Sequence, residues 1–169
     1  MLKFGNAVSC VLILFATATI LAQDMPRFED YPVKVYAGKV HKPKWIRRVS
    51  GNEWRDELGK LVAPPEINFA GKYFVAVHSC GTECRYYTLT DLSSGRELDL
   101  LKTFDAAEPS SETHYGDPYL TELVTRPTSK MFVAQYHIQS SAKCHERIFI
   151  LKGEKILSVG STTRVCAKY

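Results

Sequence analysis

The sequence predicts a mainly β fold, built as antiparallel meanders or propeller-like sheets, with one amphipathic helix and two disulfides. Three observations lead there. From Tyr73 onward, short runs rich in Val, Ile, Tyr and Phe are separated by Gly, Pro, Ser and Asp clusters, the pattern of strands and turns. Only residues 52–62 carry apolar side chains at helical spacing. Setting aside an N-terminal leader leaves Cys80, Cys84, Cys144 and Cys166, an even set suited to disulfides. The 169 residues are 45% hydrophobic and 24% charged, which is too apolar for disorder and large enough for a core without a metal. The net charge of +4 falls to +3 when Lys3 leaves with the leader, too small to point to nucleic acid.

Residues 1–22 read as a signal peptide. Lys3 supplies the basic start, Ala7 to Leu21 the apolar run, and Ala22 the small residue before Gln23-Asp24. A membrane anchor needs about 20 apolar residues, and Thr17 and Thr19 interrupt this shorter run. Cys10 stands at the beginning of the apolar run, which does not suit a lipoprotein signal, and it leaves with the leader. The expected mature chain is a single β-rich domain of residues 23–169 in the periplasm or outside the cell, with no membrane segment after cleavage.

Residues 23–32 form an irregular lead-in, and Val33, Val35 and Ala37 predict a short strand. Asn52 is a suitable N-cap for a helix carrying Trp54, Leu58, Leu61 and Val62 on one face, ended by Pro64-Pro65. Strands follow at 73–78, 85–90, 96–100, 119–125, 131–138, 147–151, 156–159 and 163–166. Turns fall at Asp91-Leu-Ser-Ser-Gly95, Pro127-Thr-Ser-Lys130 and Gly153. Phe74-Val-Ala-Val77 and Phe132-Val-Ala-Gln135 begin two similar strand–loop–strand–turn–strand stretches, a faint internal echo.

His78-Ser-Cys-Gly-Thr-Glu-Cys84 is the most unusual stretch. Gly81 can turn the chain sharply enough for Cys80 and Cys84 to meet. Of three possible connectivities, Cys80–Cys84 with Cys144–Cys166 is preferred; chain-entropy arguments give these rings about 2 and about 3.4 kcal/mol. The alternatives are a zinc site from His78, Cys80 and Cys84, or a Cys80 nucleophile beside His78, and oxidising export opposes both. Ser140-Ser-Ala-Lys143 matches a serine-enzyme pattern without its companion motifs. No phosphate loop, dinucleotide fingerprint or nucleophile elbow appears, so no catalytic residue, metal or cofactor is expected.

The polar segment 106–118 reads either as a solvated connector or as a recognition loop. Serine, tyrosine and acids on a β scaffold make adaptable contacts, so Ser110, Ser111, Glu112, His114 and Tyr115 are the candidate partner-binding residues.

Ile67-Asn-Phe-Ala-Gly-Lys-Tyr73, Ser79-Cys-Gly-Thr-Glu-Cys84 and Asp91-Leu-Ser-Ser-Gly95 together resemble a family of exported bacterial proteins with N-F-A-G-x-Y, C-G-T-x-C and D-x-x-T/S-G stretches. The likeness covers about residues 45–98, and Gly153 to Leu157 looks like its closing hairpin. It implies export and β-architecture rather than catalysis. Lys72 stands where that family commonly has histidine. By size, export and the Ser110-Ser111 loop, the chain also resembles periplasmic immunity proteins that block type VI-secreted peptidoglycan amidases. That likeness implies a protein partner and a loop set against the toxin's cysteine–histidine pair. The expected function is therefore a non-catalytic inhibitor or immunity protein. The alternatives are a small cell-envelope enzyme using His78, His137 or His145, and a structural envelope protein.

Overall fold

The computed structural model describes residues 25–81, 84–105, 119–138 and 142–165. Within them the fold is mainly β. The strands are β1 (Arg47–Ser50), β2 (Glu53–Arg55), β3 (Leu61–Val62), β4 (Tyr73–Gly81), β5 (Cys84–Asp91), β6 (Arg96–Leu98), β7 (Tyr119–Thr125), β8 (Met131–Ile138), β9 (Lys143–Lys152) and β10 (Lys155–Val165). They form three antiparallel sheets, ordered β1-β2-β3, β4-β5-β6 and β10-β9-β8-β7. Each is a meander, because short turns join neighbours that pair directly. The echo between Phe74–Val77 and Phe132–Gln135 falls on β4 and β8, each followed by its own hairpin and closing strand.

Alternation along β4 explains why its sheet is central. Phe74 and Ala76 point to one side and join Ile46, Trp54 and Leu92. Tyr73 and Val75 point to the other and join Tyr87, Leu89, Leu98, Phe132, Ala134, Phe149 and Leu151. In that larger core Phe132 stacks on Phe149 at 5.2 Å and takes Phe69 and Phe104 edge-on at 5.5 Å each. The opposite face of the four-stranded sheet, with Met131, Val133 and Ile148, is covered by Phe28. Phe28 is carried there by a 3-10 turn over Phe28–Asp30, where the Asp30 carboxylate accepts the Arg27 N–H at 2.8 Å.

The expected helix over 52–62 is not formed; the segment is the β2–β3 hairpin. Gly51 and Gly59 both adopt positive φ, 47° and 75°, which turns the chain sharply on either side of β2. The helical spacing also fails to make a buried stripe: Trp54 is 8% exposed, whereas Leu58 and Leu61 are each 63% exposed. Gly51-Asn52 closes the β1–β2 hairpin, so Asn52 is a turn residue and not a helix cap.

Two further expectations change. Residues 33–37 make no strand, because their hydrogen bonds to neighbouring turns are scattered, Val33 to Thr128 and Tyr36 to Gly71, and no ladder forms. The separate strands at 156–159 and 163–166 are one bulged strand, β10, with its register shift between Ser158 and Gly160. Among the described residues one disulfide is complete, Cys80–Cys84, with Cα atoms 5.1 Å apart across the β4–β5 turn. Cys144 is also disulfide-bonded, but the expected Cys144–Cys166 pairing lies outside the described residues because Cys166 does.

Candidate functional site

Ser110, Ser111, Glu112, His114 and Tyr115 lie outside the described residues, but both ends of their segment are described. On the entering side, a 3-10 turn over Lys102–Phe104 buries Phe104 in the main core and delivers Asp105. β6 pairs with β5 only from Leu89 to Asp91, so the edge of β5 beyond Leu89 is open. There the Tyr87 N–H donates to Asp105 Oδ1 at 2.9 Å. On the leaving side, β7 begins at Tyr119, whose ring meets Tyr136 edge-on at 5.3 Å. The Tyr87 hydroxyl donates to the Thr121 carbonyl at 2.5 Å, and the Arg85 guanidinium reaches the same oxygen at 3.4 Å. One side chain and its own backbone amide thus fasten both feet of segment 106–118. Burial pushes the Tyr87 phenol up to about 12. Burial also raises the Asp105 carboxyl, against the pull of the Tyr87 N–H.

The conspicuous histidine, His78, sits in the opposite core. Its Nδ1 lies 3.0 Å from Asp56 Oδ2 and its Nε2 lies 3.0 Å from Thr88 Oγ1. The ring stacks on Tyr86 at 4.4 Å and takes Trp45 edge-on at 4.6 Å. Both His78 and Asp56 are 2% exposed. Burial pushes the Asp56 carboxyl up, but the His78 hydrogen bond, backbone N–H bonds from Lys60 and Leu58, and the His78 charge outweigh it and hold it below its ordinary value. Asp56 occupies the β2–β3 turn, so this pair ties the small sheet to the middle one. With both ring nitrogens engaged and Cys80 bonded to Cys84, neither the zinc site nor the Cys80 nucleophile is assembled.

The three histidines do not converge. His137 on β8 lies directly across from Cys144 on β9, while His145 pairs with Tyr136 and bonds Thr163 Oγ1 at 3.1 Å, so His137 and His145 face opposite sides of the sheet. Among the described residues no group of three His, Cys, Asp or Glu side chains stands together as a metal site, and no helix is long and apolar enough to cross a membrane.

The motif residues have structural partners. Asn68 imitates a strand, accepting the Val75 N–H at 2.7 Å and donating to the Val75 carbonyl at 2.8 Å. Ala70 and Gly71 both take positive φ, 43° and 80°, and a Cβ on Gly71 would lie 2.5 Å from the Lys34 carbonyl oxygen. Lys72 Nζ meets Asp91 Oδ2 at 2.5 Å, joining the N-F-A-G-K-Y stretch to the D-L-S-S-G turn. Asp91 also accepts the Ser93 N–H and hydroxyl. Burial raises the Asp91 carboxyl, while Lys72 and Ser93 outweigh that and lower it overall.

The sequence reading missed the roles of Tyr87 and Asp105. Antiparallel register alone cannot reveal them, because Asp105 reaches β5 from a connecting turn. The His137–Cys144 opposition was readable, since two strands joined by a short connection bring residues equidistant from its centre face to face. No family model, curated protein or solved structure matches the chain.

Proposed function

We propose that this chain is an exported, non-catalytic binding protein whose segment 106–118 enters the active-site cleft of a peptidoglycan hydrolase and occludes it. The observation that carries the reading is the double fastening of that segment through Tyr87, to Asp105 on one side and Thr121 on the other. Anchoring both feet to a buried tyrosine lowers the ordering cost of presenting the residues between them. The dispersal of His78, His137 and His145 leaves the histidine-based enzyme without a convergent site among the described residues. In this reading residues 1–22 are removed on export, and Cys144 pairs with Cys166 in the oxidising compartment. Ser110 and Ser111 face the partner's nucleophile, with Glu112, His114 and Tyr115 around them.

The test is a photo-cross-linking residue at Ser110 or Glu112 in the protein expressed with its leader, followed by identification of the captured protein. A peptidoglycan hydrolase cross-linked through its catalytic domain supports the proposal. A hydrolase captured only from sites outside 106–118 removes the segment from it, and capture of no hydrolase removes the partner.

A further inference from the structure

A groove of about 560 Å³ lies where residues 33–37 cross the turn before β4 and the β9–β10 turn. The buried Leu151 and Tyr73 and the exposed Tyr36 give it an apolar and aromatic lining. Residues 33–37 are fastened in place: the Val33 N–H donates to the Thr128 carbonyl at 2.9 Å, and the Tyr36 N–H donates to the Gly71 carbonyl at 2.7 Å. Gly71 has no side chain to hold the Lys34 carbonyl off, so this strap sits directly on the turn. The groove is therefore preformed, and its volume falls within the range of about 300–1,000 Å³ usual for small-molecule sites.

Lys34, Lys72 and Lys130 line this groove, and no acid does. Lys72 is held by Asp91 at 2.5 Å and lies over the Tyr73 ring at 5.1 Å. Lys34 and Lys130 have no ion pair among the described residues, and Glu154, the acid that follows Gly153 of the lining, is taken by Arg96. Two uncompensated cations from separate parts of the chain thus stand beside one apolar wall. We propose that the groove is a binding site for a small organic anion, an apolar or ring body bearing a carboxylate or phosphate. Lys34 and Lys130 attract the charge, and Tyr36, Tyr73 and Leu151 pack against the body. Lysine is a point charge without the forked geometry of arginine, so either headgroup fits. Exposed charge pairs contribute little by themselves, so the apolar wall supplies most of the affinity and the lysines select the sign of the ligand. The groove shares no lining residue with Tyr87, Asp105 or Thr121, so the inference goes beyond occlusion by segment 106–118 and does not depend on it.

The experiment titrates the folded protein with anilinonaphthalene sulfonate, an anionic ring probe, and locates the dye by backbone amide shifts. The expected result is a single dye per chain, with shifted amides confined to residues 33–37, 70–73 and Gly153. Lys34→Glu/Lys130→Glu alters two exposed side chains, so thermal stability is kept while binding weakens at least about tenfold. Lys44→Glu/Lys60→Glu makes the same change of net charge outside the groove and alters binding less than about twofold. Phenylbutyrate and phenyl phosphate then compete for the dye, beside phenylbutanol and inorganic phosphate, which each lack one half of the proposed ligand. Displacement by either ring acid, at concentrations where the alcohol and inorganic phosphate leave the dye bound, supports the proposal and names the headgroup. Several dyes per chain, amide shifts centred on the exposed Leu58 and Leu61, or binding unchanged in Lys34→Glu/Lys130→Glu overturns it. So does displacement by neither acid, or equally well by the alcohol or by inorganic phosphate.

Discussion

His78 Nδ1 and Asp56 Oδ2 meet at 3.0 Å with both side chains sealed from solvent, joining the β2–β3 turn to β4. Because each has further partners, Thr88 for the histidine and the Lys60 N–H for the aspartate, the pair is fully satisfied where it lies. Removing one member strands the other. His78→Ala is therefore expected to cost about 3 kcal/mol in urea unfolding.

The same pair sets an acid limit. The folded Asp56 carboxyl titrates below its unfolded value of 3.8, so its contribution is fully present above the ordinary carboxylate range and is lost as pH falls through the lowered folded value. Asp56→Asn removes that segment of the pH–stability curve. Chemical denaturation of the two proteins between neutral pH and strong acid checks it: the curves should converge at the acid end.

Tyr87 imposes the alkaline counterpart. Its phenol moves from 10.0 unfolded to about 12 folded, so the neutral form's contribution is whole below pH 10 and is lost as pH rises through about 12. Tyr87→Phe abolishes this dependence and, by leaving the Thr121 carbonyl with only the longer Arg85 contact, costs about 1 kcal/mol at neutral pH. Tyrosinate absorbance during an alkaline titration should lose its Tyr87 component in the variant, while Tyr86 and Tyr136, both raised by burial, still titrate above an ordinary phenol.

The turn before β4 gives an opposed pair of substitutions. Ala70→Gly relieves a positive φ and should stabilise by about 0.5 to 1 kcal/mol. Gly71→Ala adds a methyl against the Lys34 carbonyl at a positive φ and should destabilise by more than 2 kcal/mol. Thermal unfolding of the two proteins orders them on opposite sides of the wild type.

Most of the β architecture was legible from the chain. The runs at 73–78, 85–90, 119–125 and 131–138 all became strands because β-branched and aromatic residues there alternate between two packed faces. The helix failed for a physical reason visible in retrospect. Trp54, Leu58, Leu61 and Val62 fit a 3.6-residue period, but Gly51-Asn52 is a hairpin dipeptide and Gly59 weakens any helix that contains it. A four-residue apolar stripe flanked by such glycines was outweighed by local turn chemistry. Strand Arg47–Ser50 left no alternating apolar pattern, since Val49 is its one apolar residue and all four residues are exposed.

The polar sites were legible only where they were local. Cys80 and Cys84 meet within one turn, so spacing sufficed. His78 drew attention beside that turn, yet its partner Asp56 is 22 residues away, in the turn between two strands of a different sheet. Tyr87 reads as one more core aromatic, and only the early end of β6 shows why its amide is free to hold Asp105.

Inhibition of peptidoglycan hydrolysis is the decisive readout of occlusion by segment 106–118. A hydrolase captured through Ser110 or Glu112 is titrated with the mature wild-type protein and with a Ser110→Trp/Ser111→Trp/Glu112→Lys variant of unchanged thermal stability. Wild type should abolish muropeptide release at one equivalent, and the variant should weaken inhibition by at least about a hundredfold, the loss of about 3 kcal/mol expected when a central interface anchor is removed. Equal inhibition by both proteins, or none by the wild type, rules out occlusion by segment 106–118.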